Sequence, residues 1–195
     1  MKHSSYRSAI MAMYAAIICA SCFVSIPVGP VPIVVQNMLS IMSGILFGFP
    51  NGMATVGLFM IAGALGLPVF SGGKGGMTVI SGPTGGFIIG YFLGALAAGY
   101  IAKKPESDEV SFEKQNILKI ALAGFLGFIV SYVPGILQFM RITGQSFVVT
   151  FATCVLPFLP GDLIKLVAMV PLAAKLRPVV ARLFYHDDGI DENGQ

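Results

Sequence analysis

Residues 66–86 constrain the fold of this chain more than any other stretch, because glycine and proline dominate a segment that has apolar runs on both sides. Glycine loses the most backbone freedom on folding and proline lacks the N–H donor, so the segment cannot continue a helix. At membrane depth, non-helical backbone survives only where protein covers it or where it lines a wet cavity. We therefore expect a structured loop that forms part of a binding site; the alternative is a flexible exterior linker.

The composition predicts a membrane protein. The chain has 195 residues, of which 55% are hydrophobic and 11% are charged, whereas soluble domains carry about 25% charged residues. A soluble domain of this size cannot bury so much apolar surface, so we expect an all-α, polytopic membrane protein. The three cysteines lie in apolar runs and the two histidines lie near the termini, so no metal site is expected.

Proline and glycine breaks divide the chain into six predicted transmembrane helices joined by structured outer loops. The predicted helices cover residues 8–26, 34–49, 53–65, 84–102, 116–133 and 160–176. The fifth ends where Pro134 begins a break, and the sixth continues as an amphipathic helix through Phe184. Residues 147–156 are apolar but too short for a full span. Residues 1–185 are predicted to form one integral membrane domain that binds substrate, followed by a disordered acidic tail at 186–195.

Lysine and arginine predict the orientation, because cytoplasmic loops carry an excess of both. In the six-helix arrangement most of them fall on one side: Lys2, Arg7, Lys103, Lys104, Lys114, Lys119, Lys175, Arg177 and Arg182. Lys74 and Arg141 fall clearly on the other side. We therefore expect both termini in the cytoplasm and a pocket open to the outside, lined by the irregular segments 28–33, 66–86 and 134–160.

Asp162 and Lys165 are the acidic and basic residues that stand in an apolar context. A charge at the centre of a bilayer costs about 2.5–3.5 kcal/mol on insertion scales, so both are candidates for a functional role. They lie three residues apart and share one face of the sixth helix. Pro160 and Gly161 place Asp162 in the first turn, where the helix dipole stabilises a carboxylate. The alternative is an ion pair that satisfies itself and only tolerates burial.

Polar side chains in other apolar runs are weaker candidates. Gln36 and Asn37 are amides at the outer end of the second helix, where they suit a neutral polar ligand or ordinary helix-end hydrogen bonds. Tyr91 and Tyr132 have hydroxyls that need a partner once buried, although each alone is more typical of packing.

No constellation of residues indicates an enzyme. Lys74 precedes Gly75 in a glycine-rich run, but the phosphate-loop pattern is not satisfied. No nucleophile elbow occurs, and no histidine at membrane depth is available as a base. Because no nucleotide motif occurs either, any energy for transport must come from a partner or from a gradient.

Alanines repeat every four residues on the first predicted helix, at Ala12, Ala16 and Ala20. A stripe of small residues lets helices approach closely in lipid. The stripe is either internal packing or a docking face for a partner.

Several collinear motifs resemble the BioY family, the biotin-binding S components of energy-coupling factor (ECF) vitamin transporters. They are Gly-Leu-Pro-Val-Phe-Ser-Gly-Gly at 66–73, Gly-Pro-Thr-Gly-Gly at 82–86, Ser-Ile-Pro at 25–27, Pro-Val-Pro-Ile at 30–33 with Gln36, and Leu-Pro-Phe-Leu-Pro-Gly-Asp at 156–162 with Lys165. The resemblance extends from the first predicted helix to the sixth. Phe87 stands where the resemblance leads us to expect a tyrosine, so no hydroxyl is available there.

The resemblance implies an outward-facing biotin pocket, with no enzymatic cofactor, in a prokaryotic plasma membrane. ATP would act only through partner subunits: a transmembrane coupling protein and two ABC-type ATPases, with no nucleic acid involved.

The resemblance also implies which residues make contacts. The predicted coupling face is Ala12 with Ala16. The predicted ligand contacts are Gln36, Phe70, Gly72, Gly73, Thr84, Tyr91, Asp162 and Lys165. Asp162 could accept from the ureido N–H groups and Lys165 could meet the carboxylate, although one helical turn is short against an extended biotin. The competing function is a self-sufficient, proton-coupled secondary transporter of a small carboxylate vitamin.

Overall fold

The computed structural model of the chain describes residues 2–26, 31–106 and 112–185. The tail at 186–195, for which we predict disorder, lies outside the described residues. The elements in chain order are α1 Lys2–Ala20, β1 Ser25–Ile26, β2 Ile33–Val34, α2 Gln36–Phe47, α3 Asn51–Ala64, α4 Met77–Ser81, α5 Gly85–Ala102, α6 Lys114–Thr143, α7 Phe147–Cys154 and α8 Leu159–Tyr185.

The predicted all-α membrane fold is confirmed, and its six helices correspond in order to α1, α2, α3, α5, α6 and α8. By length and composition α1, α5 and α6 can each cross a membrane, and α7 with α8 qualifies as one span bent by 51°. With 12 and 14 residues, α2 and α3 reach only about 18 and 21 Å at 1.5 Å per residue. Both are shorter than the roughly 30 Å hydrocarbon core of a bilayer.

Three local features differ from the sequence-based prediction. The first helix ends at Ala20 rather than at residue 26, and β1 then pairs antiparallel with β2, Ser25 opposite Val34. The helix break predicted at Pro134 is wrong, because α6 continues to Thr143. A proline removes one backbone hydrogen bond, and transmembrane helices tolerate that loss when neighbouring helices cover the site. Here α5 covers it, since a Cβ on Gly86 would overlap the carbonyl oxygen of Pro134.

Helices α5 and α6 are in backbone-to-backbone contact along a stripe of glycines. Gly86, Gly90 and Gly94 recur every four residues on α5, and a Cβ on Gly90 would overlap the carbonyl oxygen of Ser131 in α6. A Cβ on Gly94 would lie 2.8 Å from the carbonyl oxygen of Gly127. Such small-residue stripes are how helices pack closely in lipid, where no hydrophobic force draws them together. Glycine is therefore required at these α5 positions because a Cβ atom has no room there, and not because of the backbone conformation.

A buried arginine joins three helices at the opposite end of the bundle from β1 and β2. Arg177 of α8 is 1% exposed. Its guanidinium donates to the carbonyl oxygen of Ile45 near the end of α2 at 2.6 Å and to that of Ala102, the last residue of α5, at 3.1 Å. A cation is favoured at helix C-termini because the last carbonyls carry partial negative charge. Arg177 thereby fixes these helix ends relative to one another.

The α5–α6 contact predicts different outcomes for the same substitution at two glycines. Gly90→Ala should lower the free energy of unfolding by about 1–3 kcal/mol, because the added methyl group forces the two backbones apart. Gly57→Ala on α3 is the matched control, since its Cβ would meet only the Phe92 side chain at an ordinary 3.6 Å. Thermal unfolding in detergent measures both variants, and equal melting temperatures would contradict the close contact.

Candidate functional site

The candidate site is a cavity between the strand β2 region, α5, α6 and α8. It has two lobes that share Val31, Pro32, Val34, Phe87 and Tyr91 as lining residues. We call the first the α8 lobe; it measures about 30 Å³ and is completed by Asn37, Ser131, Tyr132, Cys154, Phe158, Asp162 and Lys165. We call the second the loop lobe; it measures about 90 Å³ and is completed by Gln36, Phe70, Ser71, Lys74, Val79, Thr84 and Ile88.

Four side chains from three helices form a connected polar cluster in the α8 lobe, which we call the polar quartet: Asn37, Tyr132, Asp162 and Lys165. Lys165 Nζ lies 2.8 Å from Asp162 Oδ1 and donates to Asn37 Oδ1 at 3.1 Å. Asn37 Nδ2 donates to the same Asp162 oxygen at 3.1 Å, and the Tyr132 hydroxyl donates to the other. Both carboxylate oxygens are therefore hydrogen-bonded within the chain.

Local folding explains where the carboxylate and the ammonium point. Asp162 lies in the first turn of α8, where the helix dipole favours a negative charge. Its backbone N–H donates to the carbonyl oxygen of Phe158 at 2.8 Å, so the turn is closed. Lys165 follows one turn later on the same face. The side chains are 7% exposed for Asp162 and 13% for Lys165, which leaves the pair within reach of the lobe.

The polar quartet has a chemistry that suits a neutral ligand group. One carboxylate and one ammonium give it no net charge, and it offers carboxylate and amide oxygens as acceptors with ammonium, amide and phenol groups as donors. A ligand group that carries both N–H donors and a carbonyl can exchange with these internal hydrogen bonds. The surrounding Phe87, Phe158 and Tyr91 supply an apolar wall on which a ring can pack.

The glycine-rich segment is a folded turn in the structure. Phe70 and Lys74 pair as an antiparallel bridge, with N–H to carbonyl distances of 2.8 and 3.1 Å. Between them Gly72 and Gly73 take φ angles of 72° and 70°, a conformation that side chains disfavour. The N–H of Gly72 donates to the carbonyl oxygen of Cys22 at 3.1 Å, which ties the turn to the end of α1.

The predicted ligand residues fall into three groups. Asp162 and Lys165 lie in the α8 lobe, Phe70 and Thr84 lie in the loop lobe, and Tyr91 lines both. Phe70 is 2% exposed and packs edge-to-face on Phe59, with 5.5 Å between ring centroids. The structure places Gly72 and Gly73 in the turn above, outside the residues that line either lobe.

Gln36 lines the loop lobe, but its amide nitrogen is committed to the backbone. Gln36 Nε2 donates to the carbonyl oxygen of Ile18 at 3.1 Å and to that of Val69 at 2.7 Å. These bonds join α1, α2 and the glycine-rich segment at one point. Its position in the structure is that of a residue that holds the loop in place.

The predicted set omits Asn37, Tyr132 and Lys74. Asn37 and Tyr132 are visible in the sequence as polar groups in apolar runs, but spacing alone does not reveal that α2 and α6 bring them to Asp162. Lys74 lies in the glycine-rich run. The signal that could have identified it as a ligand contact is its positive charge, which the six-helix arrangement predicts on the outer side.

Ala12 and Ala16 are not among the residues that line either lobe. Both are exposed on α1, as is Ala20, while Ala15 and Ile18 on the other side of the helix are buried. The stripe therefore faces away from the rest of the chain.

Comparison with known proteins agrees with the family suggested by the motifs. Residues 1–182 match the BioY family. A protein of Rhizobium etli named biotin transporter BioY is 34% identical over 161 residues, covering 81% of this chain and 86% of the relative. A protein of Thermotoga maritima with the same name is 32% identical over 168 residues, covering 85% and 92%.

A solved structure is similar along nearly the whole chain. It is a crystal structure of the S-component for biotin from an ECF-type ABC transporter, with a TM-score of 0.77 and 28% identity, covering 90% of this chain and 93% of that one. The helical membrane fold and the sequence relationship point to the same group of proteins. Since the family match covers all but the last few residues of the described structure, the chain belongs to the BioY family.

Proposed function

We propose that the protein is the biotin-binding substrate-specificity subunit of an ECF-type transporter. It captures biotin from outside the cell and delivers it through an ATPase-driven partner complex. The observation that carries the proposal is the polar quartet, since three helices of a BioY-family chain bring four hydrogen-bonding side chains to one cavity. The names of the relatives from Rhizobium etli and Thermotoga maritima, and the S-component for biotin among solved structures, support the choice of ligand.

The chemistry of biotin fits the cavity. Its ureido ring has two N–H donors and one carbonyl, which match the acceptors and donors of the polar quartet. Its fused rings and aliphatic chain suit the apolar wall formed by Val31, Val34 and Phe87. The two lobes of about 30 and 90 Å³ have room for waters rather than for a bicyclic ligand, so the proposal includes an outward movement of the covering segments on binding.

The partners follow from the energy source and from the exposed face of α1. The sequence contains no nucleotide motif, so in this proposal two ABC-type ATPases supply ATP hydrolysis through a transmembrane coupling protein. The exposed stripe of Ala12 and Ala16 is the proposed coupling face, because small residues allow a partner helix to approach. We place residues 1–185 as one substrate-binding domain in a prokaryotic plasma membrane, with both termini cytoplasmic.

A second function is a proton-coupled carrier that works without ATPases. The observation in its favour is Asp162, a buried carboxylate beside the cavity and thus a group that could carry a proton. The polar quartet engages both oxygens of this carboxylate in hydrogen bonds, which favours a binding role for it. Uptake by cells that lack the ATPases, with its dependence on the proton gradient, separates the two functions.

Asp162→Asn should weaken biotin binding about 10- to 100-fold, because a hydrogen bond to a charged group contributes roughly 1.5–3 kcal/mol. Glu113→Gln, at an exposed carboxylate before α6, is the matched control and should bind as the wild type does. Equilibrium binding in detergent measures both, with thermal unfolding to show that each variant is folded. Wild-type affinity in Asp162→Asn would remove Asp162 from the site.

The glycine-rich segment should become protected when biotin binds. Ser71→Cys lies in the folded turn beside the loop lobe, and biotin should slow its reaction with a membrane-impermeant maleimide. Gln145→Cys, exposed after α6, should react equally with and without biotin. Ser71→Cys that reacts at the same rate in both conditions would favour a loop that does not cover the ligand.

Substitutions on α1 separate binding from transport. Ala12→Leu and Ala16→Leu add bulk to an exposed face, so biotin affinity of the isolated subunit should stay near wild type. Co-purification with the coupling complex and ATP-dependent uptake should fall sharply. Ala15→Leu is the control for internal packing, because Ala15 is buried and overpacking costs about 1–3 kcal/mol. Joint loss of expression, binding and uptake in Ala16→Leu would refute the docking role.

A further inference from the structure

The loop lobe contains a cation that the binding chemistry above does not use. Among the described residues that line it, Lys74 carries the charge, and Ser71 and Thr84 supply hydroxyl groups. The lobe adjoins the α8 lobe, and the two share lining residues, among them Phe87 and Tyr91. Once the covering segments move outward, one elongated ligand can reach from one lobe to the other.

The α8 lobe is poorly suited to the carboxylate of a ligand. The ammonium of Lys165 is already neutralised by Asp162 at 2.8 Å, and another of its donors is used by Asn37. A ligand carboxylate beside Lys165 would also lie beside the Asp162 carboxylate, and two like charges at that distance repel each other. The neutral ureido end of biotin fits this lobe better than the charged end does.

Lys74 is held at the edge of the loop lobe by its backbone. The two hydrogen bonds between Phe70 and Lys74, at 2.8 and 3.1 Å, fix Lys74 next to the buried Phe70 ring. The side chain itself is exposed, so the ammonium lies at the mouth rather than in the core. Thr84 precedes α5, and the positive end of that helix adds to the attraction for an anion.

The two lobes lie side by side along α5. Thr84, just before α5, lines the loop lobe, and Tyr91, seven residues later, lines both lobes. That spacing corresponds to about 10 Å along the helix axis. A fused ring followed by an aliphatic chain extends over such a distance, whereas Asp162 and Lys165 are only one turn apart.

We propose that Lys74 binds the carboxylate of the ligand and makes the protein selective for biotin over forms that are masked at the carboxylate. The inference rests on the proposed function and revises one expectation from the sequence, namely that Lys165 meets the carboxylate. Because the carboxylate lies at the mouth of the loop lobe, a form of biotin that is esterified there still has room to enter. Such a form binds without the contribution of Lys74. Selectivity then comes from one charge rather than from shape.

The test compares biotin with biotin methyl ester on four proteins: wild type, Lys74→Gln, Lys165→Gln and the control Arg141→Gln, an exposed cation at the outer end of α6. The wild type should prefer biotin over the ester by about tenfold, as for a hydrogen bond between charged groups. Lys74→Gln should lose this preference through weaker biotin binding, with the ester unchanged. Lys165→Gln should weaken both ligands alike, and Arg141→Gln should match the wild type.

Two results would overturn the assignment of Lys74. One is an unchanged preference for biotin in Lys74→Gln; the other is a preference that disappears in Lys165→Gln, which would place the carboxylate in the α8 lobe. In both cases biotin still binds to the wild type, so the proposed function stands. A wild type that binds neither ligand would instead refute the proposed function.

Discussion

The contact between the backbones of α5 and α6 is the constraint on which the cavity depends. Gly90 lies against the carbonyl of Ser131, and this register sets Tyr91 on one helix close to Tyr132 on the other. A side chain in place of this glycine would separate the two walls and move the Tyr132 hydroxyl away from Asp162. The same close packing accounts for the continuation of α6 through Pro134, since α5 packs directly on this turn of the helix.

The polar quartet shows how a charged pair is tolerated in so apolar a chain. Removing Asp162 and Lys165 from water carries a desolvation cost that their mutual attraction offsets only with good geometry and additional hydrogen bonds. Asn37 and Tyr132 provide those bonds, and each comes from a different helix. The ligand role that we propose for the pair depends on its partial exposure to the lobe.

Local sequence determines much of this fold, because apolar runs and glycine–proline breaks act over a few residues. The prediction that Asp162 and Lys165 share a face depended only on helical spacing, and the structure brings them within 2.8 Å. The break predicted at Pro134 failed because the packing of α5 on α6 decides whether a proline interrupts a helix, and this packing is not local. The same applies to Gln36, whose partners Ile18 and Val69 lie 18 and 33 residues away.

The same explanation applies to Asn37 and Tyr132, which the sequence marked as weaker candidates and which were left out of the predicted ligand contacts. Asn37 lies 125 residues from Asp162 in the chain and Tyr132 lies 30 away. No periodicity within one helix connects them, so their role emerges only from the assembled bundle. Gly72 and Gly73 were predicted as ligand contacts from the family resemblance, and in the structure their positive φ angles turn the chain above the lobe.

The charge of Arg177 has two roles if the proposed orientation is right. In that orientation it is one of the cytoplasmic cations that bias how a chain inserts into the membrane. In the finished fold it is 1% exposed and bonded to the ends of α2 and α5. Because α2 and α5 precede α8 in the chain, the carbonyl groups that Arg177 needs are already synthesised when α8 emerges. A chain truncated before α8 would leave those two helix ends without their shared cation.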